Sequence, residues 1–157
     1  TVTGDKQVTG PGVSVTITGE SNIMYSDIID LVNELFASGA EAVSINDTRF
    51  TIHTVIYEKE TVENVRNENG ETYQKESYAP TINGEELLYP IVIKAIGDPV
   101  TLKTGHTYPG GIIESLNSLY MVYPVIKKAD NLVIPAADDY SYEYASTQQT
   151  TEENEES

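Results

Sequence analysis

Val13, Val15 and Ile17 alternate with Ser14, Thr16 and Thr18, so this segment has one apolar and one polar face. A two-residue period predicts a half-buried strand. Gly10-Pro11-Gly12 just ahead of it reads as a turn, as do residues 19–22 just after it. The period then changes. Ile28, Leu31, Val32, Leu35 and Phe36 stand at i, i+3, i+4, i+7 and i+8, the stripe of an amphipathic helix. Ser26 is placed to cap that helix, Asp27 adds a first-turn anion, and Gly39 supplies a left-handed residue at its end.

Glu41 to Ile45 reads as a second strand, Asn46-Asp47 as a tight turn, and Arg49 to Tyr57 as the return strand, with Phe50, Ile52 and Ile56 on one face. Residues 58–77 are polar and charged around Asn67-Glu68-Asn69-Gly70, which predicts an exposed hairpin or loop inserted in the domain. A short strand and turn follow at Thr81-Ile82-Asn83-Gly84. Tyr89 to Ile96 is almost continuously apolar, as expected of a strand covered on both faces at the middle of a sheet. Gly97 ends it. Asp98 and Pro99 open a short helix to about Lys103, and Pro109-Gly110-Gly111 leads into another, with Ile112, Ile113 and Leu116 facing inward. Met121–Ile126 and Leu132–Ile134 predict a closing hairpin around Lys127 to Asn131.

These elements predict an α+β fold, a mainly antiparallel sheet with helices on one face, ferredoxin-like or a related split βαβ arrangement. The expected organisation is a lead-in over 1–9, a single domain over 10–137 with 58–77 inserted, and a disordered acidic tail over 138–157. The length suits a single hydrophobic core.

Composition narrows the function classes. Nine basic residues against 25 acidic ones give a net charge of −16. Seven of the acids lie in 138–157, yet the rest of the chain still holds 18 acids against nine bases. Such a surface repels phosphate backbones and anionic lipid, so nucleic acid is not an expected partner and the fragment itself is not expected to contact membrane. With no cysteine, thiol chemistry and Cys-ligated zinc are excluded. No apolar run is long enough to cross a bilayer, and a chain opening on Thr1 reads as a fragment whose anchor or leader lies elsewhere.

Catalytic motifs are missing. The two histidines, His53 on a strand and His106 in a loop, have no metal-ligand spacing, so no metal or cofactor is expected. Glu85-Glu86 is one acidic pair among many, no serine lies in a G-x-S-x-G elbow, and neither glycine-rich stretch is a phosphate loop. Two loops can bind an anion through the free N–H groups of a helix start: Gly97-Asp98-Pro99 and Pro109-Gly110-Gly111. The candidate ligand residues there are Asp98, Gly110 and Gly111, weighed against plain helix punctuation. Tyrosine dominates the aromatics, with 11 Tyr, two Phe and no Trp. Tyr57, Tyr73, Tyr78 and Tyr89 surround the insertion and are the candidate interface residues, since tyrosine buries area while keeping a polar tip. The alternative is that they cap a small sheet.

Taken in order, Gly10-Pro11-Gly12-Val13, Ser26-Asp27-Ile28, Leu31 through Leu35, Ser38 through Asn46, Ile82-Asn83-Gly84, Ile91 through Pro99 and Pro109 through Ile112 resemble the bacterial domain of unknown function 881 family. The likeness spans about residues 10–135 and is most specific from Leu31 to Asn46. It implies a domain outside the cytoplasmic membrane, mainly of Gram-positive bacteria, tethered by an N-terminal transmembrane helix often followed by a coiled coil, and often encoded near division, cell-wall or sporulation functions. No reaction comes with the resemblance. Residues 58–77 depart from it where relatives have a short connection. The expected function is therefore a non-catalytic extracytoplasmic interaction module with protein partners in the envelope, and a homo-oligomer is compatible with it. A small-ligand or sensor domain using the two glycine loops is the alternative, and a wall-polymer hydrolase the third reading.

Overall fold

The computed structural model describes residues 6–18, 23–107 and 111–137. Eleven elements follow one another: β1 (Val8–Ile17), α1 (Tyr25–Ala37), β2 (Ala42–Ile45), β3 (Thr48–Arg49), β4 (Ile56–Arg66), β5 (Thr72–Ile82), β6 (Glu85–Glu86), β7 (Ile91–Ile96), α2 (Pro99–His106), α3 (Ile112–Tyr120) and β8 (Val125–Ile134). The main sheet runs β3-β2-β7-β1-β8, and every pairing in it is antiparallel. Leaving out the short β3, its four strands lie in the order fourth, first, third, second of a β-α-β-β-α-β chain. That is the ferredoxin-like arrangement, and the α+β expectation holds.

Strand alternation explains where the core sits. Val13, Val15 and Ile17 of β1 stand in register with Ala95, Ile93 and Ile91 of β7, and Val43 and Ile45 of β2 continue the same rows. This face packs against Ile28, Leu31, Val32 and Leu35 of α1, Leu102 of α2 and Leu116 of α3. The predicted stripe of α1 thus meets the predicted apolar face of the sheet, and β7 lies at its centre as its composition requires.

Four local expectations are corrected. Gly10-Pro11-Gly12 is no turn: β1 begins at Val8 and passes through it, with a register shift against β8 between Gly10 and Gly12. Proline lacks the N–H a ladder needs, and the bulge absorbs it. The helix start is Met24 rather than Ser26, because Asp27 at the third helical position accepts the Met24 N–H at 3.0 Å. The return strand after Asn46-Asp47 stops at Arg49. Thr51 and Thr54 then turn the chain: the Thr51 N–H donates to Thr54 Oγ1 at 2.8 Å and the His53 N–H to Thr51 Oγ1 at 3.1 Å. Ile52 is consequently 72% exposed instead of sharing a buried face with Ile56. Finally, the closing hairpin is a single strand, β8, because residues 125–134 pair along their length with β1.

The bulge at Pro11 carries the β1/β8 ribbon over the sheet face that α1 leaves uncovered. Val8, Leu132 and Ile134 pack there on Ala42 and Ile96 as a second, smaller cluster. Arg49, 3% exposed, closes this region by donating from Nη1 to the carbonyls of Lys6 at 3.0 Å and Pro135 at 3.3 Å.

A second sheet, β4-β5-β6, is built on the long hairpin around Asn67–Gly70. It incorporates the predicted insertion but starts earlier, at Ile56, and ends later, at Ile82; both of those residues belong to the core. The expected acidic tail and the predicted turn at 19–22 lie outside the described residues.

Candidate interaction surface

Asp98 sits at the N-terminus of α2, where its Oδ2 accepts the Thr101 N–H at 3.0 Å and also the Thr101 hydroxyl. Those hydrogen bonds hold its carboxyl below the usual carboxylate range. The helix start that was a candidate anion site is thus already occupied by the chain's own carboxylate. Gly111 is the N-cap of α3, is buried, and accepts the Ser115 N–H through its carbonyl at 3.1 Å. Gly110 lies outside the described residues.

The histidines part company. His53 is exposed in the Thr51–Thr54 turn. His106 is the last residue of α2 rather than a loop residue, and it is fully buried. Its Nδ1 lies 3.8 Å from Glu34 Oε2 of α1, and neither ring nitrogen has a hydrogen-bond partner among the described residues. Burial pushes its pKa down to about 4. The sequence reading places His106 in a loop because it ends α2 at about Lys103. Extended by one turn, the helix puts His106 four residues after Leu102, on the same face. Among the described residues, no group of three or more His, Asp or Glu converges as a metal-ligand set.

What the structure offers to solvent is the β4/β5 arm. From Lys59 to Tyr78 nearly every residue is exposed, on both faces of the two strands. At about 3.4 Å per residue, the Lys59–Arg66 stretch extends roughly 25 Å. Alternation divides the arm. Tyr57, Lys59, Thr61, Glu63 and Val65 share one face with Tyr73, Lys75 and Ser77; Glu58, Glu60 and Val62 share the other with Glu76 and Tyr78. Tyr57 and Tyr73 therefore lie on the same face at opposite ends of the arm, 44% and 48% exposed, and Tyr78 lies on the reverse face. Its hydroxyl donates to Glu76 at 3.2 Å; that bond and the charges of Glu60, Glu76 and Glu58 raise its pKa. Tyr89 is not on the arm. It precedes the cis-Pro90 and packs, half-buried, against the core. Three of the four tyrosines thus belong to one protruding element, and they do not form one patch.

A model of the family described as "Bacterial protein of unknown function (DUF881)" matches residues 1–146. The chain belongs to that family. Among relatives of this DUF881 chain, the UPF0749 protein Rv1825 of Mycobacterium tuberculosis is 33% identical over 105 residues, covering 66% of this chain and 31% of the relative. The UPF0749 protein YlxW of Bacillus subtilis is 32% identical over 125 residues, covering 73% and 47%. The chain therefore spans about a third to a half of the length of these curated relatives. A crystal structure of an uncharacterized conserved protein from Mycobacterium tuberculosis superposes with a TM-score of 0.65 at 30% identity, covering 87% of this chain and 86% of that one. The family description carries no reaction.

Proposed function

We propose that this DUF881 domain is a non-catalytic protein-interaction module of a membrane-anchored, extracytoplasmic protein of the cell envelope or division apparatus, and that the β4/β5 arm makes the contact. The observation that carries this reading is the arm itself. A two-stranded hairpin with both faces in water gains little from its own burial and is marginal alone. This one nevertheless keeps Tyr57, Val62, Tyr73 and Tyr78 between 44% and 58% exposed. Large amphipathic side chains on a protruding, otherwise polar element suit a surface that is covered by a partner. The shares of the relatives that are covered support a module that works as part of a longer chain.

The test is a cross-linked pull-down from native cells with the full-length protein as bait, alongside a version whose residues 60–78 are replaced by an Asn-Gly turn between the paired Lys59 and Ala79. Envelope proteins captured by the first and lost from the second are the expected result. An identical set of captured proteins from both baits would sink the assignment to the arm.

A further inference from the structure

β4 is the outer strand of its sheet, and among the described residues no other strand pairs with its free edge. Which of its backbone groups face outward follows from the tip. The Asn67 N–H donates to the Glu71 carbonyl at 2.9 Å, which makes Asn67 and Glu71 a hydrogen-bonded pair. Antiparallel pairs alternate in type, so odd-numbered residues of β4 bond inward to β5. Glu58, Glu60, Val62 and Asn64 then present their N–H and C=O groups outward.

We propose that this edge pairs with the same edge of a second copy of the chain, antiparallel, about a twofold axis at Thr61, joining two arms into one four-stranded sheet. This rests on the reading of the arm as a contact element and names its partner. The argument is that the face of β4 that carries Thr61 is complementary to its own reverse, while the other face sets Glu60 opposite Val62 and Glu58 opposite Asn64. In that register Lys59 faces Glu63 of the other copy and Tyr57 faces Val65, each twice, while Thr61 faces itself. All three are non-hydrogen-bonded pairs, the type that brings side chains closest.

The existing ladder extends these rows. Lys75 already stands opposite Glu63 and Tyr73 opposite Val65. Across the joined sheet the rows become Lys75–Glu63–Lys59 and Tyr73–Val65–Tyr57, alternating in charge in one case and continuously apolar or aromatic in the other. A closed twofold pair also needs paired residues on the same face, which restricts the choice of centre. Centring on Lys59, Glu60 or Glu63 sets like charges against each other at the axis. Centring on Val62 sets Lys59 opposite Val65 and separates it from Glu63. Charges on an edge strand commonly deter pairing; here, in one register, they select it.

The chain has no cysteine, which makes the register directly readable. At the axis a Thr61→Cys pair would have Cα atoms about 4.5 Å apart, inside the window for a disulfide. Expected results with the whole chain are a concentration-dependent dimer by sedimentation and a disulfide-linked dimer from Thr61→Cys under mild oxidation. Lys59→Glu is expected to weaken dimerisation by about tenfold or more, and Lys59→Glu combined with Glu63→Lys to restore it to within about threefold. These residues are exposed, so the variants fold as the parent does. A monomer at all concentrations, a cross-link from Val62→Cys in place of Thr61→Cys, or indifference to Lys59→Glu would each overturn the proposal. A monomer whose arm still captures envelope proteins overturns self-pairing and leaves the interaction reading standing.

Discussion

His106 Nδ1 and Glu34 Oε2 lie 3.8 Å apart between α2 and α1, with the imidazole wholly out of solvent. The charged form of His106 is destabilised by this burial, and its pKa falls from 6.5 to about 4.

A stability profile follows from that shift. Above pH 6.5 the ring is neutral in both folded and unfolded chains, and folding carries no proton penalty. Between 6.5 and about 4 the unfolded chain takes up a proton that the folded one refuses, so stability falls as pH falls. The loss from this group is about 3 kcal/mol at most. Urea unfolding midpoints across this range should show a steeper decline for the parent than for His106→Leu. Parallel profiles would show that His106 does not set the slope.

Arg49 donates charge-assisted hydrogen bonds to the carbonyls before β1 and after β8. Arg49→Ala should cost about 2–4 kcal/mol, since hydrogen bonds to charged groups contribute about 1.5–3 kcal/mol each. Hydrogen exchange should accelerate first at Val8 and Ile134. Uniform acceleration over the whole sheet would mean that Arg49 supports the core instead.

Gly12 tolerates no side chain. A Cβ there would land on the Ala95 carbonyl oxygen of β7, whereas one at Gly10 would only touch Ile96 Cγ2 at 3.4 Å. Gly12→Ala should therefore destabilise the domain by about 3 kcal/mol or more, and Gly10→Ala by less than about 1 kcal/mol. Thermal melts of the two variants decide it; equal losses would mean that β1 moves away from β7 without strain.

Trimming the arm tests how far it stands apart from the core. Replacing residues 60–78 by an Asn-Gly turn should shift Tm by no more than about 3 °C, because nearly all of these side chains are exposed and the Lys59–Ala79 pair keeps Ile56 and Ile82 in register. A large drop would show that the arm braces the domain.

Elements whose period is set by one buried face were legible. Val13 to Ile17, the α1 stripe and the run into Ile96 each state their partner through their pattern, and β7 took its central place for that reason. What misled was punctuation. Gly10-Pro11-Gly12 has the residues of a turn, but Pro11 and Gly12 meet the demands of a bulge and of close contact with Ala95, and only the paired strands reveal those demands. Lys127 to Asn131 looks like a hairpin loop until β1 is placed beside it. Of the candidate surface, the tyrosines were visible, but their division between two faces depends on the β4/β5 register. The complementarity of β4 with its own reverse could have been read from the sequence once the strand's limits were known.

The meeting of Lys6 and Pro135 at one guanidinium has a mechanical consequence. A pull applied to these two points does not slide strands past each other. It opens β1 from β8 one rung at a time, starting at Val8 and Ile134, with the Arg49 bonds yielding first. Tension along a longer chain would then meet a zipper rather than a shear bond, and the first strand freed would be β8, which closes one edge of the sheet.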